Sequence, residues 1–279
     1  MKGGFNLFNG KFYRESEPLF SGQDLARLNS GIKESFRAVN NLVMFARSNY
    51  DFLLDSLSAL GLPIPADWNF SRFTSDCSRF LNKNHFYLAA KIEIYFIPGI
   101  DGTEYLITGE EIPGGYFKPK EVGLLIDIYT EGAKNRSVYQ SYEPSSRTLW
   151  DAATRHAVEI SRHNLILLNN KGFACESING SFGYLIDQTA IFPSSDSQGY
   201  SPPLVEVIKG CARACGFETL EKKEITKEEL LNAEELFLID NCRGIEPVLG
   251  LYARRYYTTG GMTIASKLVE KAQNDHRQV

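Results

Sequence analysis

Apolar and polar residues alternate from Phe5 to Tyr13 on either side of Asn9-Gly10, the pattern of two short strands joined by a tight hairpin. Asn29-Ser30-Gly31 reads as a turn leading into a strand through Phe36. Farther on, Lys91-Ile92-Glu93-Ile94-Tyr95-Phe96-Ile97 alternates as a strand, the segment from Pro98 to Gly102 turns, and Tyr105-Leu106-Ile107 pairs back. Between these, the period changes. Residues 48–60 place Phe52, Leu53, Leu57 and Leu60 on one helical face, and Gly61 and Pro63 stop the helix. A second helix is predicted over residues 70–81. These elements make residues 1–115 an α+β domain.

Pro113-Gly114-Gly115 and Lys118-Pro119-Lys120 interrupt the pattern, so residues 116–121 are read as a linker and residues 122–279 as an α/β domain. There the pattern predicts a strand over 122–129, a helix over 150–161, and a buried strand at Leu165-Ile166-Leu167-Leu168 ended by the Asn169-Asn170-Lys171-Gly172 turn. A hairpin is expected from residues 182–186 and 190–192. Pro202-Pro203 precede a helix over 204–215 that Gly216 closes. Thr226-Lys227-Glu228-Glu229 is a capping box, residues 236–239 a strand, and residues 263–271 a terminal helix.

Composition narrows the function classes. The 279 residues are 43% hydrophobic and 23% charged, ordinary for a globular protein and too apolar for disorder. A net charge of −4 gives no electrostatic footprint for nucleic acid or an anionic membrane, and neither is expected as a partner. No window is apolar enough to span a bilayer, and no signal peptide is expected. Cys77, Cys175, Cys211, Cys215 and Cys242 form neither a disulfide framework nor paired metal motifs, which implies a cytoplasmic, reducing setting. His85, His156, His163 and His276 lack metal-ligand spacing, and no Ser-His-Asp or Cys-His pattern is defensible.

Five motifs in order carry a resemblance. Asn9-Gly10-Lys11, Glu17-Pro18-Leu19, and the run from Arg27 to Arg37 that includes Gly31, Glu34 and Phe36 resemble the opening of class IV aminotransferases. The segment from Arg147 to Glu176 resembles their cofactor-lysine region. Ala233-Glu234-Glu235-Leu236-Phe237-Leu238-Ile239-Asp240-Asn241-Cys242-Arg243-Gly244-Ile245-Glu246-Pro247-Val248 resembles their late "ADE-x-F-L-T-N…G-I-x-PV" motif. The resemblance extends over roughly residues 5–270. It implies the two-domain D-amino-acid-aminotransferase-like architecture of the fold-type-IV pyridoxal-phosphate enzymes, and a homodimer.

Carried over residue by residue, the family's chemistry meets substitutions. The family lysine that forms the imine with the cofactor aldehyde falls at Arg147, and no lysine lies between Lys134 and Lys171. A guanidinium stays protonated and forms no imine. The family's phosphate arginine falls at Phe52. Its phosphate turn falls at Tyr200-Ser201-Pro202-Pro203-Leu204-Val205, where prolines remove N–H donors and Leu204 removes a hydroxyl. Ser181 stands where the family has an asparagine.

What the resemblance leaves is Glu176, the partner of a protonated cofactor ring nitrogen, with Asn241 and Cys242 in the second phosphate-facing loop. Arg147 is either a loop charge or an occupant of the old cavity, paired with Glu176 or a small anionic ligand. Lys91 and Arg27 read as solvated strand ends, Asp240 as a loop acid, and Thr258-Thr259-Gly260-Gly261 as a phosphate-like turn or simply a helix cap. Three function classes follow. One is a pseudoenzyme that expects no cofactor and binds a small ligand or a partner. The second is an enzyme that holds the cofactor or another anionic ring non-covalently, or uses the cavity for different chemistry. The third is a pyridoxal-phosphate aminotransferase or aminodeoxychorismate-lyase-type enzyme whose lysine comes from an unexpected part of the chain.

Overall fold

A computed structural model of the protein describes residues 4–19, 27–118, 122–135, 142 and 147–277. The expected linker residues 119–121 and Ser145-Ser146 lie outside these. The fold is mixed α/β, and the chain divides into two compact units, one built mainly from residues up to Tyr116 and the other from Phe117 onward.

In the first unit the Asn9-Gly10 hairpin joins β1 (Phe5–Phe8) and β2 (Lys11–Arg14). Together with β3 (Ile32–Val39), β4 (Leu42–Val43), β5 (Ala89–Pro98) and β6 (Thr103–Glu111) they form an antiparallel sheet in the order β2-β1-β6-β5-β3-β4. Helix α1 (Ala46–Leu60) buries Asn49, Tyr50, Leu53, Ser56 and Leu57, so of the predicted face Leu53 and Leu57 are buried while Phe52 and Leu60 are only half-buried, and Gly61 closes the helix in the left-handed region at φ 66°. Helix α2 (Phe70–Asn84) runs three residues past the predicted end. Asn69 caps its start by accepting from the Arg72 N–H at 2.9 Å, and His85 ends it. The core between helices and sheet is aromatic: Trp68, Phe73, Phe96 and Tyr105 all lie within it, with Trp68 edge-on to Phe96. Asp76, fully buried on α2, accepts from Arg72 (2.7 Å), Arg79 (2.7 Å) and the Tyr105 hydroxyl (2.7 Å). Burial and the neighbouring Asp76 push the Tyr105 phenol up to about 12.

Glu93 on β5 gives this unit an acid-sensitive point. Burial alone would raise its carboxyl, but Lys33 (2.8 Å) and Lys91 (2.7 Å) hold it down at about 2. Because the folded value lies below the unfolded one, the stabilisation is full above about pH 4.5 and is lost as pH falls through about 2. Glu93→Gln should therefore flatten this part of the acid limb, by on the order of 1–2 kcal/mol after solvent screening, as read from denaturant melts across that window. An unchanged acid limb would show that the pairing is too solvated to matter.

The second unit is a curled sheet of mixed direction. Its strands are β7 (Leu124–Ile128), β8 (Asn164–Leu168), β9 (Ala174–Ser177), β10 (Ser181–Ile186), β11 (Thr189–Pro193), β12 (Glu218–Lys222), β13 (Glu235–Asp240), β14 (Gly244–Leu251) and the two-residue β15 (Arg254–Arg255). Their order is β12-β11-β10-β13-β14-β7-β8-β9, with β15 beside β14. β7 pairs in parallel with both β14 and β8, whereas β8 and β9 run antiparallel. Helix α3 (Thr148–Glu159) crosses between β7 and β8, and Ala153 and Ala157 pack it onto Tyr129, Leu165, Leu167 and Ile178. Helix α4 (Leu204–Ala214) follows the two prolines, and α5 (Lys227–Asn232) starts at the complete Thr226–Glu229 capping box.

Strands β9, β12 and β14 depart from the predicted pattern. Every residue of β9 is buried, as is nearly all of β14, so neither alternates, while β12 is a polar strand at the sheet edge. The terminal helix α6 (Thr259–Arg277) begins four residues before the expected start. Gly260 and Gly261 lie in its first turn and donate their N–H groups to the Glu235 carboxylate, both at 2.8 Å. The phosphate-like turn is thus capped by the chain's own acid.

Candidate functional site

Parallel strands end, by the geometry of α/β sheets, where sites are commonly built. Two loops leave that end here. The loop after β7 carries Lys134, whose N–H donates to the Leu168 carbonyl (2.8 Å) and whose carbonyl accepts from the Asn170 N–H (3.0 Å). Asn169, after β8, accepts from the N–H groups of Lys171 (3.0 Å) and Phe173 (3.1 Å) and donates through its amide to the Ser197 carbonyl (3.0 Å). One side chain therefore ties the β8–β9 turn to the segment around Tyr200.

Glu176 is the focus of these loops. It sits on β9 with no solvent exposure, opposite Leu167 of β8. One oxygen, Oε1, accepts from the Trp150 indole N–H at 2.7 Å. The other, Oε2, takes the Lys134 ammonium and the Tyr200 backbone N–H. Lys134 is itself only 6% exposed, so this is a buried ion pair with its carboxylate hydrogen-bonded on both oxygens. The Lys134 ammonium also lies 5.2 Å from the centre of the Trp150 ring, and the Arg147 guanidinium 5.5 Å from it.

Arg147 precedes α3 and donates to the Ile178 carbonyl at 3.1 Å. Of the readings open for Arg147, a loop charge or a partner for Glu176 or an anion, its described hydrogen bond is to a backbone carbonyl, and the ammonium on Glu176 is that of Lys134. Ser181 is buried on β10, and its carbonyl accepts from the Ser177 hydroxyl at 3.3 Å. Asn241 and Cys242 are buried beyond β13, where the Asp240 carboxylate accepts from the N–H groups of Cys242 (2.7 Å) and Arg243 (2.9 Å). Burial pushes the Asp240 carboxyl up, against the pull of Arg243 and those two N–H groups. Asp240 is thus an acceptor inside its own turn. Pro203 stands at the start of α4 with no side-chain cap.

The remaining candidates are structural. Lys91 pairs with Glu93, and Arg27 with Glu104 and the Pro98 carbonyl. His85 meets the Tyr87 hydroxyl, His156 lies near Glu131 and Glu159, and His163 accepts from the Leu125 N–H. Burial pushes the Cys175 thiol far up, which leaves it unreactive beside Glu176. Among the described residues, no group of three or more His, Cys, Asp or Glu side chains could hold a metal ion.

Sequence reasoning placed Glu176 and Arg147 but missed Lys134, Trp150 and the Tyr200 N–H. Lys134 follows its strand in irregular backbone, where periodicity carries no signal. The one available pointer was that no lysine lies between Lys134 and Lys171, which leaves Lys134 the nearest lysine upstream of Arg147.

With this geometry in view, comparison with known proteins is informative. Residues 31–251 match the family model described as amino-transferase class IV. Among solved structures, the chain is similar to the branched-chain aminotransferase of Thermoproteus uzoniensis, with a TM-score of 0.85, 18% identity, and 99% and 97% of the two chains covered. It is likewise similar to the Thermobaculum terrenum enzyme in its PLP-bound form, with a TM-score of 0.85, 13% identity, and 98% and 95% covered. For the Escherichia coli branched-chain aminotransferase the TM-score is 0.81 at 16% identity, over 94% and 92% of the chains. No curated protein matches the sequence.

Proposed function

We propose that this chain, which belongs to the class IV aminotransferase family, works without the family's cofactor, as a pseudoenzyme that binds a small ligand or a partner. The observation that carries this reading is the saturation of Glu176 by Lys134, Trp150 and Tyr200. In pyridoxal phosphate the aldehyde carbon and the ring nitrogen stand at opposite ends of the ring. A glutamate that serves the nitrogen and a lysine that serves the aldehyde must therefore be a ring's length apart. Lys134 is instead in direct contact with Glu176, with no room for a ring between them. The residues present do not fit the cofactor.

Two further features support the same reading. Arg147, at the family lysine's place in the sequence, cannot form an imine and donates to a backbone carbonyl. Asp240 puts a carboxylate within hydrogen bonds of the turn N–H groups where a phosphate would sit, which adds repulsion for an anion. The homodimer expected of the family is carried over as part of this proposal.

Pyridoxal phosphate titrated into the pure protein should produce no aldimine absorbance band. Borohydride should fix no stoichiometric adduct on any one lysine. A one-to-one adduct mapped to Lys134 would overturn the reading and establish the third class, an enzyme with a displaced lysine.

A further inference from the structure

Helix α3 covers only part of the sheet face on which it packs. It lies over Tyr129, Leu165 and Leu167, and the ladder sets Leu165 opposite Asp127 of β7. Asp127, and Leu125 two residues earlier, therefore point to that same face, while Leu124 and Ile126 point into the core. Leu125 in turn stands opposite Gly250 of β14, and Gly250 opposite Arg255 of β15. These three strands form a strip beside α3 that stays open.

The strip is aliphatic along its floor and cationic at its rim. A bulge between Val248 and Gly250 turns Leu249 outward, 40% exposed. A β-carbon at Gly123 would stand 3.1 Å from that of Leu249, so Val122, 76% exposed, continues the same surface. Gly250 has no side chain, and the Arg255 guanidinium lies across it. A β-carbon there would fall 2.6 Å from Arg255 Nη1 and 3.2 Å from Leu125 Cδ2. Past the end of β14, the Lys227 ammonium sits 4.3 Å from the centre of the Tyr252 ring. Arg255 and Lys227 are exposed, and among the described residues neither forms an ion pair. Asp127, the acid on this face, is already neutralised: it accepts from Arg162 (2.9 Å) and from the Tyr252 N–H (3.0 Å).

Unpaired cations gathered on one face of a chain of net charge −4 select an anionic partner, and the aliphatic floor beside them selects an apolar one. Strands about 4.8 Å apart put β7 and β15 roughly 10 Å from each other, the width of one α-helix. We propose that the strip seats one acidic amphipathic helix of a partner protein, laid beside α3. Its apolar stripe meets Leu125, Leu249 and Val122, and its carboxylates meet Arg255 and Lys227. Two unpaired cations fall short of the about four to eight that mark an anionic lipid surface. This proposal is independent of the reading of Glu176.

Anisotropy titration of the full chain into a fluorescein-labelled synthetic helix tests it, the probe being about five turns long with a leucine stripe flanked by glutamates. The probe should bind saturably, and more weakly as salt rises. The same probe with glutamine for glutamate should bind at least about tenfold more weakly, the equivalent of about 1.4 kcal/mol. Arg255→Gln and Leu249→Ser, both at exposed positions, should each weaken the acidic probe about five- to tenfold. Lys11→Gln, which removes an exposed and unpaired cation of the first unit, should leave binding unchanged. Thermal melts confirm that each variant is folded. No saturable binding, equal binding of the glutamine probe, or as large a loss with Lys11→Gln as with Arg255→Gln would each overturn the proposal. So would binding to vesicles of phosphatidylserine in phosphatidylcholine, but not to the probe, that Arg255→Gln and Leu249→Ser weaken, which makes the strip a membrane surface. Self-association of the chain that those two variants abolish would overturn it as well, giving the strip to a second copy.

Discussion

Lys134→Met should lower the stability of the second unit by about 3–5 kcal/mol, the cost of leaving a buried charge without its partner. Glu176 has no solvent exposure, so water cannot replace the ammonium, and the Trp150 and Tyr200 donors supply hydrogen bonds but no charge. Glu176→Gln should cost less, because Lys134 retains the face of the Trp150 ring. The double variant should recover at least half of the Lys134→Met loss, since removing both charges removes the penalty along with the attraction. Denaturant melts of the three variants and the unaltered chain close this cycle. A loss below about 1 kcal/mol for Lys134→Met would place the pair among solvated surface bridges and remove the basis for calling the site self-occupied.

Gly199→Ala should be at least as damaging, costing more than about 3 kcal/mol or preventing folding. A β-carbon at Gly199 would fall on the carbonyl oxygen of Cys175, with the carbonyl carbon also in collision at 2.6 Å. Backbone on both sides leaves nothing flexible to yield. Gly199 thus sets how closely the segment before Tyr200 approaches β9, and only at that approach does the Tyr200 N–H reach Glu176. Gly115 is the control: a β-carbon there meets nothing within 4 Å, so Gly115→Ala should change stability by less than about 0.5 kcal/mol. If the two substitutions cost the same, the close approach does not hold the site together.

The hairpin at Asn9-Gly10, the α1 helix with Leu53 and Leu57 on its buried face, and the Thr226–Glu229 capping box are local devices, and each was legible because its signal lies within a few residues. Strands β9 and β14 were not legible, because burial on both faces erases the alternation that marks a strand. The candidate site divides along the same line. Glu176 was found from motif order, since a carboxylate after the Asn169–Gly172 turn keeps its place in the chain. For its cation the sequence offered only Arg147, as one of several readings of that residue. Lys134 reaches Glu176 through a backbone bridge to Asn169. That bridge exists only once β7 and β8 are paired, so no spacing in the sequence encodes it.

The packing of Trp150 has an optical consequence. Its indole donates to one buried carboxylate oxygen while two cations stand within 5.5 Å of its ring centre, so its excited-state dipole sits in a strong, oriented field. Trp68, the chain's other tryptophan, belongs to the first unit and its aromatic cluster. In a Trp68→Phe chain the emission wavelength and lifetime of Trp150 become a private channel for Lys134, shifting when the ammonium leaves Glu176 and remaining constant while it stays.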